Sequence, residues 1–200
     1  MNIVFLSGPH AVGKTFLVDE IIKNNPHYSK FDSGPEMRWF HQKYGNDLSI
    51  GEWVDKLESK YGDKITCFML AKKLKEQLNE ANTDNCIIIG FRQLIGIKYM
   101  IDILKPETYS LFYIDAPNEL LFQNYNSRLV NSTNARKDAP MTYKDFCMYL
   151  QKEQESGLSE IKNYCKTNNQ GSYIFKTDNE SNLCNTILEK DFFENDERTK

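Results

Sequence analysis

The chain has no long apolar run. Its uninterrupted stretches, such as Ile87 to Ile89, fall far short of the roughly 18 residues that a bilayer crossing needs, so no membrane span is expected. It also lacks an excess of either charge, with 25 Lys and Arg against 28 Asp and Glu and a formal charge of −3. A surface built to coat a polyanion is disfavoured, and nucleic acid is not the expected partner. Cysteine is sparse and odd in number: Cys67, Cys86, Cys147, Cys165 and Cys184 contain no CxxC pair, which argues against a disulfide framework or a zinc site. They read as small buried hydrophobes in a reducing cytoplasm. The first residues carry no basic segment ahead of an apolar run, so no secretory leader is read, and neither an internal repeat nor a Pro/Gly/Ser-rich linker interrupts the chain.

What is present is a substantial core. The 200 residues are 40% hydrophobic and 12% aromatic, too rich in core formers for a disordered chain and about right for one domain. Residues 1–193 are expected to form that domain, and the charged stretch 194–200 to fray as a disordered tail. Asn2 to Leu6 reads as a buried strand feeding a Gly-containing turn. Phe16, Leu17, Ile21 and Ile22 then recur at helical spacing up to Pro26. Tyr28 to Asp32, Cys86 to Gly90, Ser110 to Asp115 and Ser172 to Lys176 are further short strands. Helical patterns lie between them: Met37, Phe40 and Tyr44; Ile65, Phe68, Met69, Leu74 and Leu78; Leu120, Leu121, Tyr125 and Leu129; Phe146, Leu150, Leu158 and Ile161. This alternation predicts an α/β domain with a mostly parallel sheet covered by helices on both faces. Ligands of such sheets bind beyond the carboxyl ends of the strands, so the residues after each strand are where chemistry is expected.

Gly8-Pro9-His10-Ala11-Val12-Gly13-Lys14-Thr15 matches GxxxxGK[ST] without a mismatch, after a predicted strand and before a predicted helix. Glycines let the backbone turn tightly, so that successive N–H groups and the helix N-terminus converge on a phosphate. Lys14 is then expected to reach the β and γ phosphates, and the Thr15 hydroxyl to hold Mg²⁺. His10 occupies a position in this loop that any residue type can fill, and loop packing accounts for it as well as chemistry does.

Past the second strand, Asp32-Ser33-Gly34-Pro35-Glu36-Met37-Arg38 places a carboxylate at the strand end and an arginine one turn into the next helix. Gly90-Phe91-Arg92 places a second arginine beyond the third strand. Paired guanidinium groups are what a phosphate-bearing acceptor needs for bidentate contact. Asp32 serves either as a carboxylate that orients metal waters or takes a proton from an acceptor, or simply as a helix N-cap. Arg128 to Lys144 carries four basic residues against the single acid Asp138, either a closing arm or a solvated loop. Thr177-Asp178-Asn179-Glu180, after the last strand, is either a donor-side turn or a plain cap. Trp39, Phe40, Tyr44 and Trp53 either pack in the core or stack on an acceptor base.

On these segments the chain resembles the small-molecule kinases of the adenylate kinase type and their relatives, the deoxynucleoside monophosphate and dephospho-coenzyme A kinases. Ser33-Gly34 with Arg38 is similar to their acceptor-helix motif. Gly90-Phe91-Arg92 is similar to their Asp-Gly-Phe-Pro-Arg strand end, and closer to the Asp-Gly-Ile-Arg form of archaeal relatives. Arg136-Lys137-Asp138-Ala139-Pro140-Met141-Thr142, followed by Phe146, Glu153 and Gly157-Leu158, resembles their lid and post-lid helix. The likeness implies a three-layer α/β/α P-loop NTPase fold with a five-stranded parallel sheet of order 2-3-1-4-5. It further implies an acceptor-binding helical region at about 33–81, a mobile lid at about 128–141, and ATP with Mg²⁺.

Two positions depart from that pattern. Ile89 stands where the family has an Asp, leaving Asp32 as the nearest carboxylate for the metal, and Leu121-Phe122-Gln123-Asn124 lacks the arginine that leads the lid. The expected activity is transfer of the γ-phosphoryl group of ATP to a phosphorylated small molecule, foremost a nucleoside or deoxynucleoside monophosphate. A dephospho-coenzyme A kinase and a nucleotide-sensing module without turnover are the alternatives. In this assignment Gly8 to Thr15 and Asn179 bind the donor, and Thr15 and Asp32 organise the metal. Asp32, Arg38 and Arg92 hold the acceptor, and Lys14, Arg92, Arg128, Arg136 and Asp32 act on the transferring group. The protein is expected to be a cytoplasmic monomer or homodimer.

Overall fold

The computed structural model describes residues 1–131, 139–177 and Ile187. Five strands, β1 (Asn2–Ser7), β2 (Tyr28–Asp32), β3 (Asn85–Ile89), β4 (Thr108–Asp115) and β5 (Gly171–Phe175), form one parallel sheet in the order β2-β3-β1-β4-β5. Every neighbouring pair is parallel, and Leu6 sits opposite Ile89 on one side and Phe112 on the other. This is the α/β architecture and strand order expected for the fold, and the five strand positions agree with the sequence to within two residues at either end.

The helices among the described residues are α1 (Lys14–Asn24), α2 (Ser33–Tyr44), α3 (Ile50–Tyr61), α4 (Ile65–Ala81), α5 (Leu94–Leu104), α6 (Asn118–Asn131), α7 (Tyr143–Glu153) and α8 (Ser159–Thr167). A π-turn, Gln154–Leu158, joins the last two. Alternation along each central strand splits the core into two layers, because successive side chains point to opposite faces of a sheet. Ile3, Phe5, Ile88, Leu111 and Tyr113 face one side, where Leu74 of α4, Met100 of α5 and Ile161 of α8 close over them. Val4, Leu6, Ile87, Phe112 and Ile114 face the other, covered by Val18 and Ile21 of α1, Leu121 of α6 and Phe146 of α7.

Three expectations change. The periodicity picks out neither α3 nor α5. The first carries a capping box, in which the Ser49 side chain accepts from the Glu52 N–H while the Glu52 carboxylate accepts from the Ser49 N–H, and that signature was legible in the sequence. The second buries Ile97, Met100 and Leu104 at helical spacing. In α1 the buried face is Leu17, Val18 and Ile21, whereas Phe16 is 72% exposed, so the phase of the stripe differs by a residue from the expected one. Of the tryptophans, Trp53 is core, whereas Trp39 is on the surface with the ammonium groups of Lys43 and Lys73 over its ring. The charged tail 194–200 and the 132–138 part of the basic segment lie outside the described residues.

Candidate functional site

The carboxyl ends of four strands converge. From β1 comes the loop Gly8–Thr15, in which Ala11 (φ 63°) and Gly13 (φ 96°) are both left-handed, a backbone alternation that turns successive N–H groups toward one concavity. Gly13 is the N-cap of α1 and no side chain caps that end, so the first N–H groups of the helix are left to a ligand or solvent. The non-glycine strain at Ala11 is held from outside the loop, where the Asn124 amide of α6 donates to the Ala11 carbonyl at 3.1 Å. His10 does not turn into the concavity. Its ring lies edge-on to those of Tyr125 and Tyr149, at 5.7 and 5.5 Å between centroids.

Lys14 is the centre of the cleft. Its ammonium donates to the carbonyls of Gly8 (2.8 Å) and Pro9 (2.9 Å). Burial pulls its pKa down from 10.5 to about 8; the charges of Glu153 and Asp32 oppose that shift, and those of Arg92 and Arg128 add to it. Two carboxylates and two guanidinium groups from distant parts of the chain thus act on this one ammonium. Arg92 follows β3, Asp32 ends β2, Arg128 is in the last turn of α6, and Glu153 ends α7. Arg38 lies on the same side as Asp32, its Nη1 3.4 Å from where a Cβ on Gly34 would stand. Arg136 and Asn179 lie outside the described residues.

A triphosphate bound against Lys14 favours the charged ammonium. Above about pH 8, where the free protein holds it largely neutral, binding is therefore expected to draw in a proton, approaching one per site near pH 9. Calorimetry of ATP binding at pH 9 in buffers of different ionisation enthalpy measures this uptake, which should shrink at pH 7.5 and vanish in Lys14→Met.

Asp32 performs the capping role: its Oδ1 accepts from the Gly34 N–H at 3.0 Å and starts α2. A carboxylate has a second oxygen, so capping does not exclude work at the cleft. Gly90 fixes where that carboxylate sits. Its φ is 100°, and a Cβ there would stand 2.5 Å from Ser33 Oγ, 2.9 Å from Asp32 Oδ1 and 3.1 Å from the Gly34 nitrogen. Gly90→Ala is thus expected to dislodge the cap and lower stability by about 2–4 kcal/mol, as read by urea unfolding.

No protein-family model matches the chain, and no curated protein matches it. Among solved structures, shikimate kinase from Bacteroides thetaiotaomicron is 16% identical over 94% of this chain and 96% of that one, with a TM-score of 0.49. At that identity and superposition the likeness transfers neither a substrate nor a residue role.

Two residues of the cleft carry no sequence motif, and a third, Glu153, enters the sequence reading only through the post-lid resemblance. Asn124 stands in the stretch where the resembling family has its lid-leading arginine, and it braces the loop. Lys176, just past β5, brings its ammonium within 3.9 Å of where a Cβ on Gly13 would be. Glu153 is 3% exposed and contacts the loop 143 residues away in sequence. Only its i, i+4 partner Tyr149 is local, so the post-lid resemblance marks the residue itself but no spacing marks its partners in the loop and at Arg92. Asp115, buried at the end of β4, is by contrast fully engaged, with Lys162 at 2.6 Å and the Tyr173 hydroxyl at 3.0 Å, and reads as structural. Burial raises the thiols of Cys67 to about 11 and Cys165 to about 12, which leaves them protonated and inert.

Proposed function

We propose that the protein is an ATP-dependent phosphotransferase acting on a phosphorylated small molecule, foremost a nucleoside or deoxynucleoside monophosphate. The observation that carries this is the set of charges around Lys14, with Arg92 and Arg128 brought to the phosphate loop from two other segments of the chain. A loop that only held nucleotide would need Lys14 and backbone amides. Two guanidinium groups added across from it suit the equatorial oxygens of a transferring phosphoryl group and the dianion of an acceptor.

In this proposal the loop amides and Lys14 bind the donor, Arg92 and Arg38 orient the acceptor phosphate, and Arg128 with Arg136 closes over the γ-phosphate. The residues suit Mg²⁺, which keeps several waters and takes few protein ligands: Thr15 lies in the first turn of α1 at the loop, and the Asp32 carboxylate acts on the neighbouring Lys14 ammonium. When bound, the ion would neutralise charge on the donor's β and γ oxygens. Little covalent work falls to the chain itself, because positioning and charge stabilisation carry most of phosphoryl transfer.

A panel of nucleoside and deoxynucleoside monophosphates with dephospho-coenzyme A, assayed for acceptor-stimulated ADP release, tests the proposal. Stimulation by at least one monophosphate is the expected result, and binding of ATP without stimulation by any acceptor overturns it. That second result would favour a nucleotide-sensing module, for which Ile89, 2% exposed where related kinases have a carboxylate, is the supporting observation.

A further inference from the structure

Glu153 is the one buried carboxylate among the described residues that touches both halves of the cleft. Its Oε2 accepts the backbone N–H of His10, inside the phosphate loop, at 2.8 Å. Its Oε1 accepts from the Tyr149 hydroxyl at 3.0 Å and pairs with Arg92 Nη2 at 3.0 Å. The carboxylate is 4% exposed while the Arg92 side chain is 47% exposed, so the anchored end of the pair is buried and the arginine projects from it into the open cleft. The backbone beneath is equally close: a Cβ on Gly157, in the π-turn, would come within 2.8 Å of the Arg92 carbonyl. Gly157, with a φ of 128°, breaks the helical backbone here and lets the chain pass this close to Arg92.

We propose that Glu153 is a positioning residue that holds the Arg92 guanidinium in fixed register with the phosphate loop, so that donor and acceptor phosphates are presented at one spacing. This rests on the phosphotransferase reading for its consequence, but not for its geometry. The chemistry requires an ionised carboxylate. Three donors converge on two oxygens, and a glutamine offers a single acceptor oxygen. Turned toward Arg92 and Tyr149, a glutamine would set its NH₂ against the His10 N–H; turned toward His10, it would set the NH₂ against the guanidinium. Either way one half of the cleft is released. The bond is worth having because an ion pair anchored in a buried environment fixes a long side chain that would otherwise sample many rotamers.

The test is a cycle of Glu153→Gln, Arg92→Gln and the double variant. Glu153→Gln is expected to lower kcat about 30-fold and raise the acceptor KM, with ATP affinity within about threefold of wild type. Because Glu153 acts through Arg92, the double variant should match Arg92→Gln within about threefold. Losses that multiply overturn the proposal, as does a Glu153→Gln protein that melts lower yet keeps its kcat. If Glu153→Gln does not fold, Tyr149→Phe removes one donor to Glu153 together with the hydrogen bond that the hydroxyl oxygen accepts from Arg92, and leaves the ion pair. It is expected to lower kcat about threefold alone and not at all in the Arg92→Gln background. An equal loss in both backgrounds overturns the proposal.

Amide exchange in the nucleotide-free protein reads the same coupling without turnover. The His10 N–H should exchange at least about tenfold faster in Glu153→Ala, which offers it no acceptor in any orientation, and unchanged exchange overturns the proposal. Should the wild type transfer no phosphoryl group to any acceptor, the phosphotransferase reading fails, and the exchange measurement still decides whether Glu153 holds the cleft together.

Discussion

Lys14→Met is expected to abolish phosphoryl transfer, by at least about a thousandfold, while making the protein more stable. The first half follows from the loss of the ammonium that the loop carbonyls of Gly8 and Pro9 hold in place, since charge on the β and γ oxygens of a donor then goes unmatched. The second half follows from linkage. An ammonium whose pKa is near 10.5 unfolded and about 8 folded is penalised by folding wherever it is charged in both states, by about 3 kcal/mol below pH 8. The sign is that of a lysine with a lowered folded pKa. The unfolded chain binds the extra proton between pH 8 and 10.5, so the lysine's penalty fades and stability rises as pH increases through that window. Methionine removes the penalty but also the bonds to the Gly8 and Pro9 carbonyls, worth about 1 kcal/mol each, leaving a net gain on the order of 1 kcal/mol at pH 7. Urea unfolding at pH 7 and pH 10 reads both effects: the variant should exceed wild type at pH 7 and lose that advantage by pH 10. A variant less stable than wild type at pH 7 would contradict the desolvation account. Stability traded against a functional charge is the pattern expected of a binding site.

Gly8→Ala is expected to be severely damaging, and for a reason unrelated to phosphate. Gly8 has a φ of 147°, and a Cβ there would stand 2.2 Å from the carbonyl oxygen of Ile114 and 3.3 Å from Val12 Cγ1. The oxygen belongs to the backbone of β4, which pairs with β1 through Phe5 to Leu111 and Leu6 to Phe112, so it cannot move aside without parting two central strands. The expected loss exceeds about 4 kcal/mol, measured by denaturant unfolding without nucleotide. Loss of ATP binding with unchanged stability would show that the glycine serves phosphate alone. By contrast, a Cβ on Gly13 meets nothing nearer than the Lys176 ammonium at 3.9 Å, so there the positive φ is the constraint rather than space. The two glycines of one motif thus answer to different demands, one set by the sheet and one by the anion cradle.

The strands were legible because each is a short apolar run bounded by turn residues, and the sheet is parallel because helical patterns separate those runs. The phosphate loop was legible because eight consecutive residues carry its whole chemistry. The missed elements failed for local reasons. In α1 the neighbouring apolar residues Phe16, Leu17 and Val18 allow two phases of the stripe, and only packing against the sheet chooses Leu17 and Val18. Asp32 was open between cap and cleft, and it caps while its charge still reaches Lys14.

The alternation of short apolar runs with helical patterns and the eight-residue glycine-rich motif determined by themselves an α/β chain with a phosphate loop, while the scarcity of long apolar runs, of paired cysteines and of net charge only excluded alternatives. Those are properties of composition and of neighbours along the chain. What only the tertiary structure decided is which charges meet. Glu153, Arg92, Arg128 and Asp32 surround Lys14 from four separate segments, and Asn124 and Glu153 brace the loop from two helices. Electrostatic interaction depends on distance through space and on burial, neither of which is encoded in the spacing of residues along the chain.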